Sequence, residues 1–189
     1  WHSNVHYRGD FTTGSFFLEK KGFTVLLHDP NDVRALSEIA HGDYKSATQV
    51  NNQPSIVFHS FVYKVNFLGA AEMVQSLPEK PLSTYNNYFI GNNPRNWAGD
   101  CKIYQAVTYK NIYPNIDVRY YSESNKLKYD FIIHPGGNVS SIAMQYDGPL
   151  NISVKDKQLL IATSVGTVKE FSPYSCQPEM PSRKGVECK

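Results

Sequence analysis

The chain is short of cysteine, of excess charge and of long apolar runs, and each shortage excludes a class of protein. Its 189 residues include three cysteines, and none has the CxxC spacing of zinc ribbons or thioredoxin-like sites. The net charge is +2, without the basic cluster that nucleic acid requires. No apolar run approaches the roughly 18 residues of a membrane-spanning helix. We therefore expect no metal, no cofactor, no nucleic-acid partner and no membrane span.

The cysteines and the ends of the chain leave several interpretations open. One disulfide in an exported protein and three half-buried thiols are both compatible with the sequence. The cysteines are Cys101, Cys176 and Cys188. The chain starts at Trp1, without Met, in strand-like sequence, and stops at Lys189 with no terminating element. We expect a processed or partial chain, with one β-rich domain over residues 1–177 that lacks its first and last strands. Residues 178–189 would be an extension or a cut linker.

Aromatic residues, by contrast, are abundant. The chain has 13 Tyr and 10 Phe against three Met, a bias typical of strands because aromatic side chains fit a pleated, half-buried surface. Apolar residues alternate with polar ones, and turn signals recur about every 8 to 12 residues. This pattern predicts an all-β fold, either an antiparallel β-sandwich or an open barrel-like sheet. One short helix is expected near residues 31–41, with Asn31 or Asp32 as the N-cap and Gly42 as the stop.

Residues 116–133 predict a β-hairpin in a definite register. With a two-residue turn at Ser124-Asn125, opposite charges face each other, as Arg119 does Asp130. A four-residue loop would set like charges face to face. Because each cross-strand pair contributes roughly 0.2–1 kcal/mol, charge selects the tighter turn. The apolar pairs on the other face are then Tyr120–Tyr129, Val118–Phe131 and Ile116–Ile133.

Other segments give simpler expectations. Residues 56–68 predict a long strand with a consistently apolar core face. The residues of that face are Phe61, Tyr63, Val65 and Phe67. Residues 44–55 predict a polar surface loop, and residues 70–82 a connection in which Pro78 and Pro81 interrupt regular structure. A second tight hairpin is predicted through Asp156-Lys157.

Several segments together resemble a known family. They read NYFIGNNPRNW, VTYKNIYPNIDVRYY, LKYDFIIHPGGNVSSIAMQYDG and LLIATSVGTVKEFSPYSCQ, and the opening WHSNVHYRGDFTTGSFFLEKKGFTVLLHD extends the match over nearly the whole chain. The combination resembles a domain without assigned activity near the N-terminus of large exported Bacteroidetes proteins. There it often precedes SBBP (β-propeller-type) repeats, and many of those proteins end in gliding-motility-associated or type IX secretion sorting domains. Ser175-Cys176 departs from the small or apolar pair expected at that position.

The resemblance implies a place and partners that composition does not show. It implies a secreted or cell-surface protein outside the bacterial outer membrane. The implied partners are other domains of the same polypeptide, together with surface proteins or glycans. In such a setting the N-glycosylation patterns at Asn138 and Asn151 are coincidental.

Three hairpin carboxylates are the candidates for catalysis, namely Asp117, Glu123 and Asp130. Glycoside hydrolysis needs two carboxyls roughly 5–10 Å apart, one of them with a raised pKa. The predicted register places Arg119 and Lys128 in the same solvent-facing row, which would keep the acids ionised. We therefore predict ion pairing across the hairpin and no enzymatic activity.

Histidines and cysteines form no recognisable metal or nucleophile motif. His2 and His6 share a strand face, but four residues along a strand span about 13 Å, too far for one metal ion. A nucleophilic Cys101 or Cys176 would need a histidine base in space, which the sequence does not reveal.

A loop rich in aromatic and amide side chains is the candidate ligand platform. Its residues are Tyr88, Asn92, Asn93, Asn96 and Trp97. A flat ring edged by hydrogen-bonding amides suits a sugar. Alternatively, Trp97 closes the end of the sandwich and the asparagines satisfy turn geometry. The sequence thus favours a non-enzymatic structural or adhesive module. Carbohydrate binding through Tyr88 and Trp97 is the alternative, and glycan hydrolysis the least favoured function.

Overall fold

The computed structural model describes residues 3–40, 57–176 and 185–186, and most of them lie in strands. The earlier strands are β1 (Tyr7–Phe11), β2 (Gly14–Glu19), β3 (Gly22–His28), β4 (Ser60–Phe67), β5 (Gln75–Tyr88), β6 (Ala98–Tyr113), β7 (Ile116–Glu123), β8 (Lys126–Ile133) and β9 (Met144–Asp147). The later strands are β10 (Asn151–Lys155), β11 (Gln158–Thr163), β12 (Gly166–Glu170), β13 (Ser175–Cys176) and β14 (Gly185–Val186). The single α-helix of the described residues is α1 (Pro30–Ala40). The predicted all-β class with one short helix is confirmed.

The chain divides into two compact units. The first comprises Trp1–Leu27 and Val62–Asp147, and the second His28–Phe61 and Gly148–Lys189. The boundary predicted at residue 177 stays a prediction, because residues 177–184 lie outside the described part of the chain.

The first unit is a β-sandwich with an aromatic interior. One antiparallel sheet has the order β1-β2-β3-β4-β9 and the other β5-β6-β7-β8. The ring of Phe23 in the first sheet lies 5.9 Å from that of Tyr120 in the second, edge to face. Phe67 and Phe131 join the sheets in the same way at 5.5 Å. Aromatic pairs of this geometry add stability beyond the area that they bury, so the Tyr and Phe excess is explained largely by this interface.

β1 contacts the second sheet at both of its ends. Near the start of β1, the Tyr7 hydroxyl lies 3.3 Å from Ser76 Oγ on β5. Just after β1 ends, Thr12 Oγ1 accepts a hydrogen bond of 3.4 Å from Asn125 in the β7–β8 turn. β1 therefore runs over the second sheet from the edge strand β5 to the turn between β7 and β8.

The predicted hairpin of residues 116–133 is confirmed in register. β7 pairs with β8 so that Arg119 faces Asp130 and Tyr120 faces Tyr129. Ser124 and Asn125 have φ values of 51° and 57°, as a type I′ turn requires. Asp156 and Lys157 repeat this geometry with φ values of 51° and 59°. The predicted core face of β4 is also confirmed. Tyr63, Val65 and Phe67 are buried there and Phe61 is half-buried.

Two predictions of local structure were wrong. Pro78 and Pro81 do not interrupt a connection, because β5 passes through both of them. β5 is an edge strand, where a residue without an N–H can be tolerated. The helix also begins earlier than predicted, since Asp29 Oδ1 accepts from the amide of Asn31 at 2.8 Å. Asp29 is therefore the N-cap, with Pro30 at the favourable first position.

The second unit contains α1 and a small sheet of order β10-β11-β12. Ile161 at the centre of β11 faces Ile152 on one side and Val168 on the other, and it is fully buried. β13 and β14 form a separate two-residue pair. The predicted loop at residues 44–55 and the predicted helix stop at Gly42 lie outside the described residues.

Candidate functional site

β5 and β6 extend past the sandwich as a two-stranded arm. Along β6, pairing with β7 starts at Ala106, whereas residues 98–105 lie opposite β5 alone. Burial changes at the same point, because Ala106 to Tyr109 are buried while residues 81–87 and 89–100 are all exposed. We call residues 81–105 the arm and residues 89–97 its tip. Tyr104 still packs edge to face on Tyr7 of β1 at 6.3 Å, so the part of β6 beyond it, residues 98–103, corresponds to a reach of about 20 Å.

Two irregularities shape the arm. The β5–β6 register shifts between Pro81 and Tyr85, and again between Asn86 and Tyr88. At the second shift Asp100 has a φ of 55°, and its amide donates to Asn87 Oδ1 at 2.9 Å. The Asn87 side chain thus satisfies an amide that the bulge removes from the ladder, and such bulges increase the local twist.

Hydrogen bonds within the tip fix the indole of Trp97. Asn93 Oδ1 accepts from the Arg95 amide at 3.1 Å and thereby caps a single 3₁₀ turn, Pro94–Asn96. The indole Nε1 of Trp97 donates to the Gly91 carbonyl at 3.1 Å. The rings of Trp97 and Phe89 lie 5.5 Å apart at an angle of 64°. The Trp97 ring is therefore held in place before any partner arrives.

The tip presents an apolar surface to solvent. Phe89 is 62% exposed, Ile90 66% and Trp97 43%. Trp97 therefore does not close the end of the sandwich, which was the alternative interpretation of this residue.

The structure places four of the five predicted platform residues in the tip and the fifth directly before it. Asn92, Asn93 and Asn96 are exposed on the tip beside Trp97, and Tyr88 ends the strand that leads into it. Tyr88 is half-buried, and its hydroxyl accepts a long bond of 3.4 Å from Asn86 Nδ2.

Sequence reasoning missed three residues of the tip. Phe89 and Ile90 are an apolar pair directly before Gly91 in an amide-rich loop, and this position beside the platform residues could have marked them. The third is Arg95, the single charged residue between positions 81 and 99.

Asp117, one of the three catalytic candidates, is buried, whereas we predicted a solvent-facing position. Its side chain is 2% exposed. Oδ1 accepts from the Asn111 amide at 2.8 Å, and Oδ2 accepts from Lys110 Nζ at 2.7 Å and lies 2.8 Å from His134 Nε2. Asn111 occupies a bulge of β6, with a φ of 51°. The carboxylate thus accepts a hydrogen bond from the backbone of this bulge. For this reason Asp117 is buried although it lies on the polar face of β7.

The electrostatics of Asp117 are those of a structural carboxylate. Burial alone would raise its pKa, but the hydrogen bonds from Lys110, Asn111 and His134 outweigh burial and hold the pKa below its ordinary value. A general acid for glycoside cleavage requires the opposite shift.

The other hairpin charges pair differently from the prediction. Arg119 faces Asp130 in the register, but its Nε lies 3.1 Å from Glu79 Oε2 on β5. Glu123 pairs with Lys128. The long Arg119 side chain reaches past β6 to Glu79. Asp130 therefore accepts instead from the Tyr121 hydroxyl at 3.3 Å.

The histidines are dispersed among different partners. His6 stacks on Tyr109, His28 Nδ1 lies 2.8 Å from Ser60 Oγ, and His59 Nδ1 lies 2.8 Å from Asp32 Oδ2. Within the described residues, no three His, Cys, Asp or Glu side chains converge as a metal site would require. His2 and His41 lie outside that part of the chain.

The cysteines of the described residues are free thiols. Cys101 is half-buried in β6 and Cys176 is exposed in β13. Cys188 lies outside the described residues. Across those same residues, no α-helix has the length and apolar character needed to cross a bilayer.

Comparison with known proteins gives a family. A family model described as a domain of unknown function, DUF7948, matches residues 1–189. The chain belongs to the DUF7948 family. No curated protein matches it significantly, and no solved structure does either.

Proposed function

We propose that this domain is a non-enzymatic structural and adhesive module of a secreted or cell-surface bacterial protein, and that it makes contact through the tip of the arm. The observation that supports this proposal is the exposed apolar cluster of Phe89, Ile90 and Trp97 at the end of the arm. Contiguous exposed apolar surface is characteristic of interaction sites. A two-stranded hairpin is marginally stable by itself, so a partner would also stabilise the arm.

The proposed setting follows from the sequence resemblance. We propose a Bacteroidetes protein in which the domain precedes SBBP repeats and belongs to a surface assembly linked to gliding or type IX secretion. Its partners would be other domains of the same polypeptide, together with surface proteins or glycans.

Replacement of the tip tests the adhesive role. Tyr88 and Ala98 are directly paired, so a two-residue Asn-Gly turn can join them in place of residues 89–97. Beads coated with the intact domain should adhere to bacterial cells, and beads coated with the shortened variant should adhere at least about tenfold less. The control is an unchanged circular dichroism spectrum and unfolding midpoint. Equal adhesion of both proteins would refute the proposal.

Carbohydrate binding is the second candidate, with Tyr88 and Trp97 as the ring platform. It is favoured by the fixed and partly exposed Trp97 ring beside three exposed asparagines. Aromatic faces with hydrogen-bonding rims suit pyranose rings. On a glycan array, the intact domain should bind at least one glycan and Trp97→Ala should lose that binding. An array without signal for the intact domain would exclude this candidate.

Glycan hydrolysis is the least favoured function. Asp117 is bound to a lysine, a histidine and a backbone amide, which leaves it no proton to donate. Turnover of any member of a polysaccharide panel by the purified domain would reverse this ranking.

A further inference from the structure

We propose that the tip selects acidic glycans, with uronate-bearing sugars as the ligand class and Arg95 as the contact to the carboxylate. This inference rests on the carbohydrate-binding candidate above and adds a substrate class to it.

The first argument is the charge of the tip. Arg95 is the single charged residue between positions 81 and 99, and it is exposed. It takes part in none of the ion pairs formed among the described residues. A guanidinium presents paired N–H donors that match the two oxygens of a carboxylate. The tip thus carries an unneutralised cation beside its aromatic ring.

The second argument is position. Arg95 lies two residues before Trp97, within the 3₁₀ turn that Asn93 caps, and two residues of such a turn advance about 4 Å. The exposed side chain of Arg95 therefore starts from the same ordered turn that leads into the Trp97 ring. A sugar stacked on Trp97 can present its carboxylate to Arg95 and its hydroxyls to Asn92 and Asn96.

The remaining anionic partners fit the tip less well. Attraction to an anionic bilayer requires a cluster of Lys and Arg, and nucleic acid requires a basic stripe. One arginine among aromatic and amide groups suits a ligand with isolated charges on an otherwise neutral polar scaffold. A uronic acid polymer has this character.

The experiment compares polygalacturonate, methyl-esterified polygalacturonate and anionic phospholipid vesicles by affinity electrophoresis and co-sedimentation. The intact domain should bind the acidic polymer at least about tenfold more tightly than the esterified one, as expected for loss of one charge-assisted contact. Trp97→Ala should abolish binding to both polymers. Arg95→Gln should lose the preference for the acidic polymer and keep the weaker binding to the esterified one.

A matched control separates specific recognition from net charge. Lys126→Gln removes one positive charge at the exposed β7–β8 turn and should leave all affinities unchanged. Equal binding to both polymers, or an Arg95→Gln variant like the intact domain, would overturn the inference while carbohydrate binding stands. Binding to vesicles alone would overturn it as well. Absence of binding to both polymers would also overturn the inference, whereas a glycan array without signal would refute the carbohydrate-binding candidate itself.

Discussion

Aromatic pairs of nearly the same geometry occur in the sandwich and in the tip of the arm. Phe67 and Phe131 join the two sheets at 5.5 Å and 62°, and Phe89 and Trp97 meet in the tip at 5.5 Å and 64°. Phe67 is buried, whereas both rings of the tip are exposed. Ring pairing is therefore not a sign of a core, and the surrounding strands decide whether a pair supports the fold or faces a partner.

β6 contains both environments in one strand. Its later half lies between β5 and β7, and Ala106, Val107 and Tyr109 are buried there. Its earlier half has β5 as its one neighbour and is largely exposed. The two halves are chemically similar but differ in packing, so they should differ in stability and in function.

The largest difference should appear in amide hydrogen exchange along β6. Amides of residues 98–105 can open without disturbing the core, whereas those of residues 106–113 require opening of the sandwich. We expect exchange to be on the order of 1,000-fold faster in the earlier half. Mass spectrometry of peptic fragments can measure this ratio. Similar rates in both halves would contradict the separation of arm and sandwich.

Truncation of aromatic rings should sharpen the comparison. Phe23 is buried between Phe67, Tyr120 and Tyr129, so Phe23→Ala should lower the free energy of unfolding by about 4 kcal/mol. Phe89→Ala, the matched change in the tip, should lower it by less than about 0.5 kcal/mol. Urea unfolding of both variants gives these values. A comparable loss at Phe89 would mean that the tip is part of the folding core.

Asp117→Asn should have an intermediate effect. It removes the carboxylate that Lys110 and His134 contact and weakens the bond to the bulge amide, which should cost about 2 kcal/mol. Asp130→Asn, on the same hairpin, removes a long bond to an exposed tyrosine and should cost less than about 0.5 kcal/mol. Equal losses of unfolding free energy in urea would show that the buried position of Asp117 does not increase its contribution to stability.

The effect of Asp117 should also depend on pH. Its pKa in the folded domain lies below the ordinary value of 3.8, which applies to the unfolded chain. At any pH between the folded and the unfolded pKa, the unfolded chain therefore binds more protons. The stabilisation is then complete above about pH 5 and is lost as the pH falls below about 4. The difference in unfolding free energy between the intact domain and Asp117→Asn should shrink over this range. A difference that grows on acidification would show that the pKa of Asp117 is raised, not lowered, in the folded domain.

The sequence predicted what is decided locally. The β7–β8 register depends on Ser124-Asn125 and on the charges of Arg119 and Asp130, all within one hairpin. Burial of Asp117 could not be predicted in this way, because it depends on a bulge at Asn111 in the preceding strand. The strand through Pro78 was missed because edge position is a property of the whole sheet.

The site was predictable in part for the same reason. Trp97 and the asparagines were identified from their chemistry. The exposure of Phe89 and Ile90 follows from β7 pairing with β6 only from Ala106 onward, which no local pattern shows. Arg95 could not be identified in the same way, because its role depends on its being the one charged residue of the tip, and the structure defines the extent of the tip.

The claim that the tip is the contact surface can be tested most directly by one measurement of adhesion to bacterial cells, with beads coated with the intact domain or with a Phe89→Ala/Trp97→Ala double variant. The account predicts that the intact domain binds and that the double variant binds at least about tenfold less, with an unfolding midpoint close to that of the intact domain. Undiminished binding by the double variant would contradict the account.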